Sequence, residues 1–248
     1  MNHYRDIEGL PISLISERTA YRTSAGPVNS SVQSEDKKSG TTTVGLIGKD
    51  FVVLAADQQS TLGHFMADDD APKVYQITSH VALTLAGALG DSQAMIRFLR
   101  AQANLYEVER ETKITPLGVS SLLSNALNAN RYYPFIFQPI IGGVNNKPEL
   151  FELTPFGCVS QKKKYTVTGS GTEFALTILD SEYKDSFSEE EAIELAVKAI
   201  VVAKNRDIYT GGKSITVVVI DKKGFREVDE KEIVRVASKV KSNSTKKG

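Results

Sequence analysis

The sequence has a single cysteine, Cys158, in 248 residues. A lone thiol excludes an intramolecular disulfide and a multi-cysteine zinc site, and it fits a reducing compartment. Cys158 itself is expected to be a small, partly buried apolar residue. Net charge is lacking too: 30 Lys and Arg balance 30 Asp and Glu. That balance gives no electrostatic case for nucleic acid as the main ligand, and no one-signed face for an anionic membrane. No apolar run reaches the ~18–20 residues that a bilayer span needs. Nor is there a secretory signal at the N-terminus. Pro11 and Ser13 interrupt its longest apolar stretch, and Glu17 and Arg18 follow directly. A soluble, intracellular protein is expected.

Several catalytic signatures are missing as well. Gly212-Lys213-Ser214 looks like the end of a phosphate-binding loop, but Asp207 stands where the first glycine belongs. A strand-like run also follows, where such a loop opens a helix. Ser170 lacks the G-x-S-x-G spacing of a nucleophile elbow. Asp68-Asp69-Asp70 lacks the alternating ligands of a calcium loop and reads as a solvated loop. The histidines are His3, His64 and His80, and none has metal-ligand spacing to another. A metallohydrolase or a Ser-His-Asp enzyme is therefore not expected, and neither is a metal or cofactor.

What is present suits one domain of ordinary core size, or two small ones, since 41% of residues are hydrophobic. Composition changes near residue 40. Residues 19–40 are small, polar and aperiodic, and are expected to be extended or disordered. From Thr41 the pattern is that of a packed domain. Strand-like runs cover Thr42–Ile47 and 51–56, with Gly48-Lys49-Asp50 as a hairpin turn. A further run, 81–86, is apolar or small on both faces, which predicts cover on both sides. Asp91 opens a helix with Met95, Phe98, Leu99, Ala103 and Tyr106 on one stripe. Thr115-Pro116 opens another, with Thr as N-cap and Pro at the first helical position. Strand-like runs follow at 137–144, Leu150–Leu153 and 165–168. A short helix is predicted over 173–179 and a long one over 189–207, the latter with a Ser188/Glu191 capping box. A strand over 214–220, a helix over 229–240 and a frayed tail from Ser242 complete the pattern.

Strands and helices in segregated pairs favour an α+β layered architecture, here a four-layer αββα sandwich. Polar residues recur where elements end, and functional sites are commonly built on such junctions. These are Thr41, Asp57, Lys73, Gly87, Ser170, Asp207 and Thr210. Singly, each has a structural reading as an ion pair, a bulge or a tight turn.

Taken together and in order, they accompany longer matches. TTTVG (41–45), VVLAAD (52–57), AGALGDSQ (86–93), ANLYEVER (103–110), RYYPFIFQPIIGG (131–143), TGSG (168–171) and AIELAVKAIVVAKNRD (192–207) resemble proteasome β subunits of the archaeal or actinobacterial type. These are N-terminal-nucleophile (Ntn) hydrolases. The resemblance implies a propeptide, residues 1–40, removed by cleavage between Gly40 and Thr41, and one Ntn-hydrolase protease domain over 41–248. It implies Thr41 as nucleophile and its freed amine as base. Lys73 and Asp57 would form the activating pair, Gly87 the oxyanion donor, and Ser170, Asp207 and Thr210 a hydrogen-bonding set around the amine. Ser60, Thr61, Ala71, Leu85 and Leu89 match positions near the specificity pocket. The implied partners are heptameric rings of β subunits, α-subunit rings, an ATPase unfoldase and unfolded protein substrates, all in the cytoplasm.

Two departures stand out. Gln58-Gln59 replaces a pair that is often basic in relatives, and Thr210 stands where many have Ser. A non-catalytic β-ring subunit, or one that depends on co-assembly, remains the alternative. The pocket residues carry no charge, so cleavage of fluorogenic peptides is expected to be faster after Leu or Tyr than after Arg or Glu. The opposite order would refute an apolar pocket.

Overall fold

Alternation in the strands sets the layers. The computed structural model describes residues 40–63 and 65–245, with side chains described through residue 240. The strands β1 (Thr42–Ile47) and β2 (Val52–Asp57) pair as an antiparallel hairpin, as the turn at 48–50 predicts. On β2, Val52, Leu54 and Ala56 point one way and Val53 and Ala55 the other, and all are buried. A strand with period-two alternation and two apolar faces must be covered on both sides. Each fully buried Val or Leu side chain contributes roughly 1.5–3 kcal/mol.

The cover comes from two five-stranded sheets that face each other. The first has the order β10-β1-β2-β11-β12 and the second β5-β6-β7-β8-β9. Their later members are β5 (Val74–Thr78), β6 (Val81–Thr84), β7 (Ile140–Val144), β8 (Pro148–Leu153), β9 (Val159–Lys162), β10 (Tyr165–Gly169), β11 (Ile215–Asp221) and β12 (Gly224–Glu227). A separate hairpin joins β3 (Ser60–Leu62) and β4 (Phe65–Asp68). Helices α1 (Leu89–Arg110) and α2 (Pro116–Ala129) lie on the second sheet. Helices α3 (Thr172–Glu182), α4 (Glu189–Arg206) and α5 (Glu230–Thr245) lie on the first. This is the expected αββα sandwich, the Ntn-hydrolase architecture. Both anticipated caps are present. Thr115 Oγ1 accepts the Gly118 N–H at 3.0 Å, and Ser188 and Glu191 exchange both capping-box bonds.

The boundaries differ in places. The run at 81–86 leaves the ladder after Thr84. In the run at 137–144 the continuous ladder starts at Ile140, after Pro139, which has no N–H to donate, while Phe137 makes an isolated antiparallel bridge with Gly87. β3, β4, β5, β9 and β12 are not anticipated in the sequence: they are short or polar, and their strand state comes from pairing rather than alternation. Asp68 thus ends a strand, although it is exposed as expected. α1 starts two residues early, at Leu89, and Tyr106 faces solvent. α5 runs on through Thr245, so Ser242 is helical rather than frayed. Cys158 is exposed, since it follows the turn before β9 instead of packing beneath it. All of the leader expected over residues 1–40 except Gly40 lies outside the described residues, as do His3 and His64.

A polar seam crosses the apolar space between the sheets. The Ile140 N–H donates to Thr84 Oγ1 at 3.1 Å, and Thr84 Oγ1 donates to Thr43 Oγ1 at 3.0 Å. Thr168 Oγ1 donates to the Gln138 carbonyl at 3.1 Å, so the 2.8 Å contact between Thr43 and Thr168 must be donated by Thr43. Each hydroxyl has one proton, so the chain runs in one direction. Thr84→Val keeps the shape and strands the Ile140 N–H and a Thr43 lone pair. A loss of about 1–3 kcal/mol is expected, read as a lower Tm; an unchanged Tm would contradict the seam's contribution.

Candidate active site

β1 brings Thr41 between two strand ends. Thr43 stands opposite Ala56, and Thr42 opposite Gly169. Thr41 therefore sits beside Asp57 at the end of β2 and beside Ser170 after β10. Thr41, Asp57 and Lys73 are all buried.

Asp57 organises the cluster. Its Oδ1 accepts from Thr41 Oγ1 at 3.1 Å, the Thr42 N–H at 2.9 Å and Lys73 Nζ at 3.0 Å. Its Oδ2 accepts from the Gln59 N–H at 3.2 Å and the Gly211 N–H at 2.9 Å. A buried carboxylate needs such compensation, because removing one partner of a buried ion pair costs about 3–5 kcal/mol. Lys73 Nζ also contacts Thr41 Oγ1 directly. Burial holds the Lys73 amine below the ordinary lysine range, and the charges of Asp57 and Asp207 offset part of that shift. The ammonium is thus poised to release a proton more readily than an exposed lysine.

On the other side, the Thr41 N–H donates to Ser170 Oγ at 3.1 Å. Ser170 Oγ donates to Asp207 Oδ2 at 2.5 Å, with the Thr41 carbonyl as a second acceptor at 3.2 Å. Asp207 is the C-cap of α4, and Thr210 Oγ1 also donates to its Oδ2, at 2.5 Å. Thr41, Asp57, Lys73, Ser170, Asp207 and Thr210 are therefore brought into one hydrogen-bonded network.

Gly87 has φ +131°, and a Cβ there would lie 2.1 Å from the Ile136 carbonyl oxygen. The Ala88 N–H bonds that same carbonyl at 2.7 Å, and the Ala86 carbonyl accepts the Gln138 N–H at 2.8 Å. The peptide planes flanking Gly87 are thereby fixed, a conformation available chiefly to glycine. Gly40 is equally confined: a Cβ would lie 1.8 Å from Tyr209 Cβ and 2.8 Å from Ser170 Oγ. Its N–H donates to Thr61 Oγ1 at 3.2 Å. Of the residues expected near the pocket, Thr61 is thus bonded to the residue before Thr41. Ala71 and Leu85 are buried, Ser60 is half-buried and Leu89 is exposed. His80 takes no part in the cluster; it is buried with Nε2 2.8 Å from the Ile114 carbonyl.

Thr42 is a site residue that the sequence reading missed. Its hydroxyl lies 2.7 Å from Thr210 Oγ1, and both are buried. Thr210 spends its proton on Asp207, so Thr42 is the donor. Gly171 makes room for this pair, because a Cβ there would fall 2.1 Å from Thr42 Oγ1. The only signal in the sequence is the TTT run itself.

A family model described as "Proteasome subunit" matches residues 37–220. The chain is 42% identical over 214 residues to "Proteasome subunit beta" of Methanocaldococcus fervens, covering 86% of this chain and 95% of that protein. It is 46% identical over 193 residues to "Proteasome subunit beta 2" of Thermococcus gammatolerans, covering 78% and 96%. It is 44% identical over 192 residues to "Proteasome subunit beta 1" of Pyrococcus furiosus, covering 77% and 97%.

Thr42→Val removes the donor to Thr210 and keeps the shape. Peptidase kcat is expected to fall roughly five- to tenfold, with KM unchanged and recovery in Thr42→Ser. A Thr42→Val protein with wild-type kcat would show the hydroxyl to be dispensable.

Proposed function

The chain belongs to the proteasome subunit family, and from that premise we propose that it is a catalytic β subunit of the 20S core. In this reading it is a threonine-type endopeptidase, made as a precursor and activated when the Gly40–Thr41 bond is cut. The observation that carries the reading is the convergence of Thr41 Oγ1, Asp57 and Lys73 in one buried cluster.

A hydroxyl is a poor nucleophile until a base takes its proton. In the uncut chain the nitrogen of Thr41 is an amide that donates to Ser170, and it has no basic lone pair. Cleavage turns it into an α-amine with a pKa of about 7.7–8, suited to general-base work at neutral pH. The nearby Lys73 ammonium disfavours a second positive charge and so depresses that amine's pKa. The neutral amine accepts the Oγ1 proton, and Oγ1 attacks the substrate carbonyl to form an acyl-enzyme ester. The amine then returns the proton to the leaving amine, and water hydrolyses the ester. The N–H of Gly87 serves as oxyanion donor, a contribution of roughly 2.7–4 kcal/mol in other hydrolases.

The same hydroxyl acts on the leader. Thr41 Oγ1 attacks the Gly40 carbonyl, the C–N bond breaks, and the acyl group moves from nitrogen to oxygen. The Oγ1 proton goes to the new amine, and water then releases Gly40 as a carboxylate. Tyr209 and Ser170 fill the space beside Gly40, which leaves no room for a side chain at that position. In the assembled particle, β and α rings would enclose the sites, with an ATPase unfoldase supplying unfolded chains in the cytoplasm. Among the described residues, no helix is long and apolar enough to cross a membrane.

The test is intact mass and peptidase activity of particles assembled with α subunits. The wild type is expected to begin at Thr41 and to cleave peptides, while Thr41→Ala is expected to keep residues 1–40. A Thr41→Ala chain that still begins at residue 41, with no outside protease, overturns self-cleavage. A wild type that assembles without peptidase activity overturns the catalytic reading, and activity only with a second β type assigns co-assembly dependence.

A further inference from the structure

The side chains of the two glutamines after Asp57 have no part in the chemistry above, yet between them the pair makes three hydrogen bonds to one loop. Gln58 Oε1 accepts the Ser214 N–H at 2.9 Å, and its Nε2 donates to Thr216 Oγ1 at 3.2 Å. The Gln58 N–H donates to the Gly211 carbonyl at 3.2 Å. Gln59 Nε2 donates to the Ile208 carbonyl at 3.1 Å. Residues 208–214 are therefore held at both ends by side chains from the end of β2.

The loop's glycines fit this slot. A Cβ on Gly211 would lie 2.0 Å from Gln59 Oε1. Gly212 has φ +89°, and a Cβ there would lie 2.7 Å from the Gln58 carbonyl carbon and 2.8 Å from both the Asp69 oxygen and the Gln59 nitrogen. The loop lies directly on the backbone of residues 58–59, as only glycine permits. Two further bonds close the slot: the Lys213 N–H to the Asp69 carbonyl, and Lys204 Nζ to the Gly212 carbonyl, both at 2.8 Å.

What the loop carries gives the contacts their meaning. Gly211 donates its N–H to Asp57 Oδ2, and Thr210 donates to Asp207. We propose that Gln58 and Gln59 are positioning residues that clamp the 208–214 loop, so that the Gly211 N–H and Thr210 hydroxyl stay on Asp57 and Asp207. The inference rests on the catalytic reading for its effect on turnover, but the clamp itself is a matter of structure. Neutral side chains suit the task. Each amide supplies a donor and an acceptor, and neither adds a charge beside the Asp57–Lys73 pair.

Gln59→Leu and Gln58→Leu test it in the processed, assembled particle. The expected result is a roughly tenfold fall in kcat with KM within about twofold, since the loop aligns groups rather than binding substrate. Amide hydrogen exchange gives the independent arm. Exchange at Gly211 and Ser214 is expected to rise at least tenfold in the variants, while β1 and β2 stay protected. Wild-type particles without peptidase activity would sink the catalytic reading but leave the exchange arm standing. Unchanged exchange at both amides overturns the clamp, and so does an effect on KM alone. If the Leu variants do not assemble, Thr216→Val removes only the acceptor of Gln58 Nε2. It is expected to raise exchange at Ser214; unchanged exchange there likewise overturns the clamp.

Discussion

The structure depends on a negative charge inside an apolar sandwich. Asp57 ends a strand whose other residues are buried hydrophobics, and its carboxylate is itself fully buried. A bare carboxylate there would be too costly to keep ionised. Five donors compensate it: Thr41 Oγ1, Lys73 Nζ and three backbone N–H groups. Meeting that requirement draws three separate chain segments together. The start of β1, the segment before β5 and the loop before β11 each bring donors, and Gln59, two residues after Asp57, adds one more. Thr41, Lys73 and Gly211 thus take their places for the same electrostatic reason.

Hydroxyl groups extend this order outward. Thr42, Thr210 and Ser170 converge on Asp207, while Thr84, Thr43 and Thr168 form a one-way chain between the sheets. Threonine suits both places. Its methyl packs in a β-sheet core and its hydroxyl gives one directed bond. Successive residues of β1 therefore face different layers. Thr42 serves the site, Thr43 the seam, and Val44 the core against α4.

One atom separates the silent chain from the active enzyme in this reading. The nitrogen of Thr41 is hydrogen-bonded to Ser170 in the uncut chain. The surrounding groups need not move for the base to appear, because only the covalent state of that nitrogen changes. In the proposed reading the leader acts as a chemical block on that nitrogen. Gly40 lies against Tyr209 with no space for a side chain.

The sequence by itself determined the sandwich class, the hairpin at 48–50 and the helix caps at Thr115 and Ser188, and through the resemblance it pointed to the set Thr41, Asp57, Lys73, Gly87, Ser170, Asp207 and Thr210. These are legible because alternation, capping and short motifs are local, and because the family match fixes their order. Only the tertiary structure decided that Thr42 donates to Thr210, 168 positions away, and that Gln59 holds Ile208, 149 positions away. The short strands β3, β4, β5, β9 and β12 likewise exist through their partners and not through their own pattern. The physical reason is the same in each case. A hydrogen bond between distant residues is set by sheet register and loop packing, and no local spacing encodes either. The substituted pair Gln58-Gln59 shows the difference most directly. In the sequence it was a departure from a basic pattern; in the fold its amides sit where the 208–214 loop needs donors and acceptors.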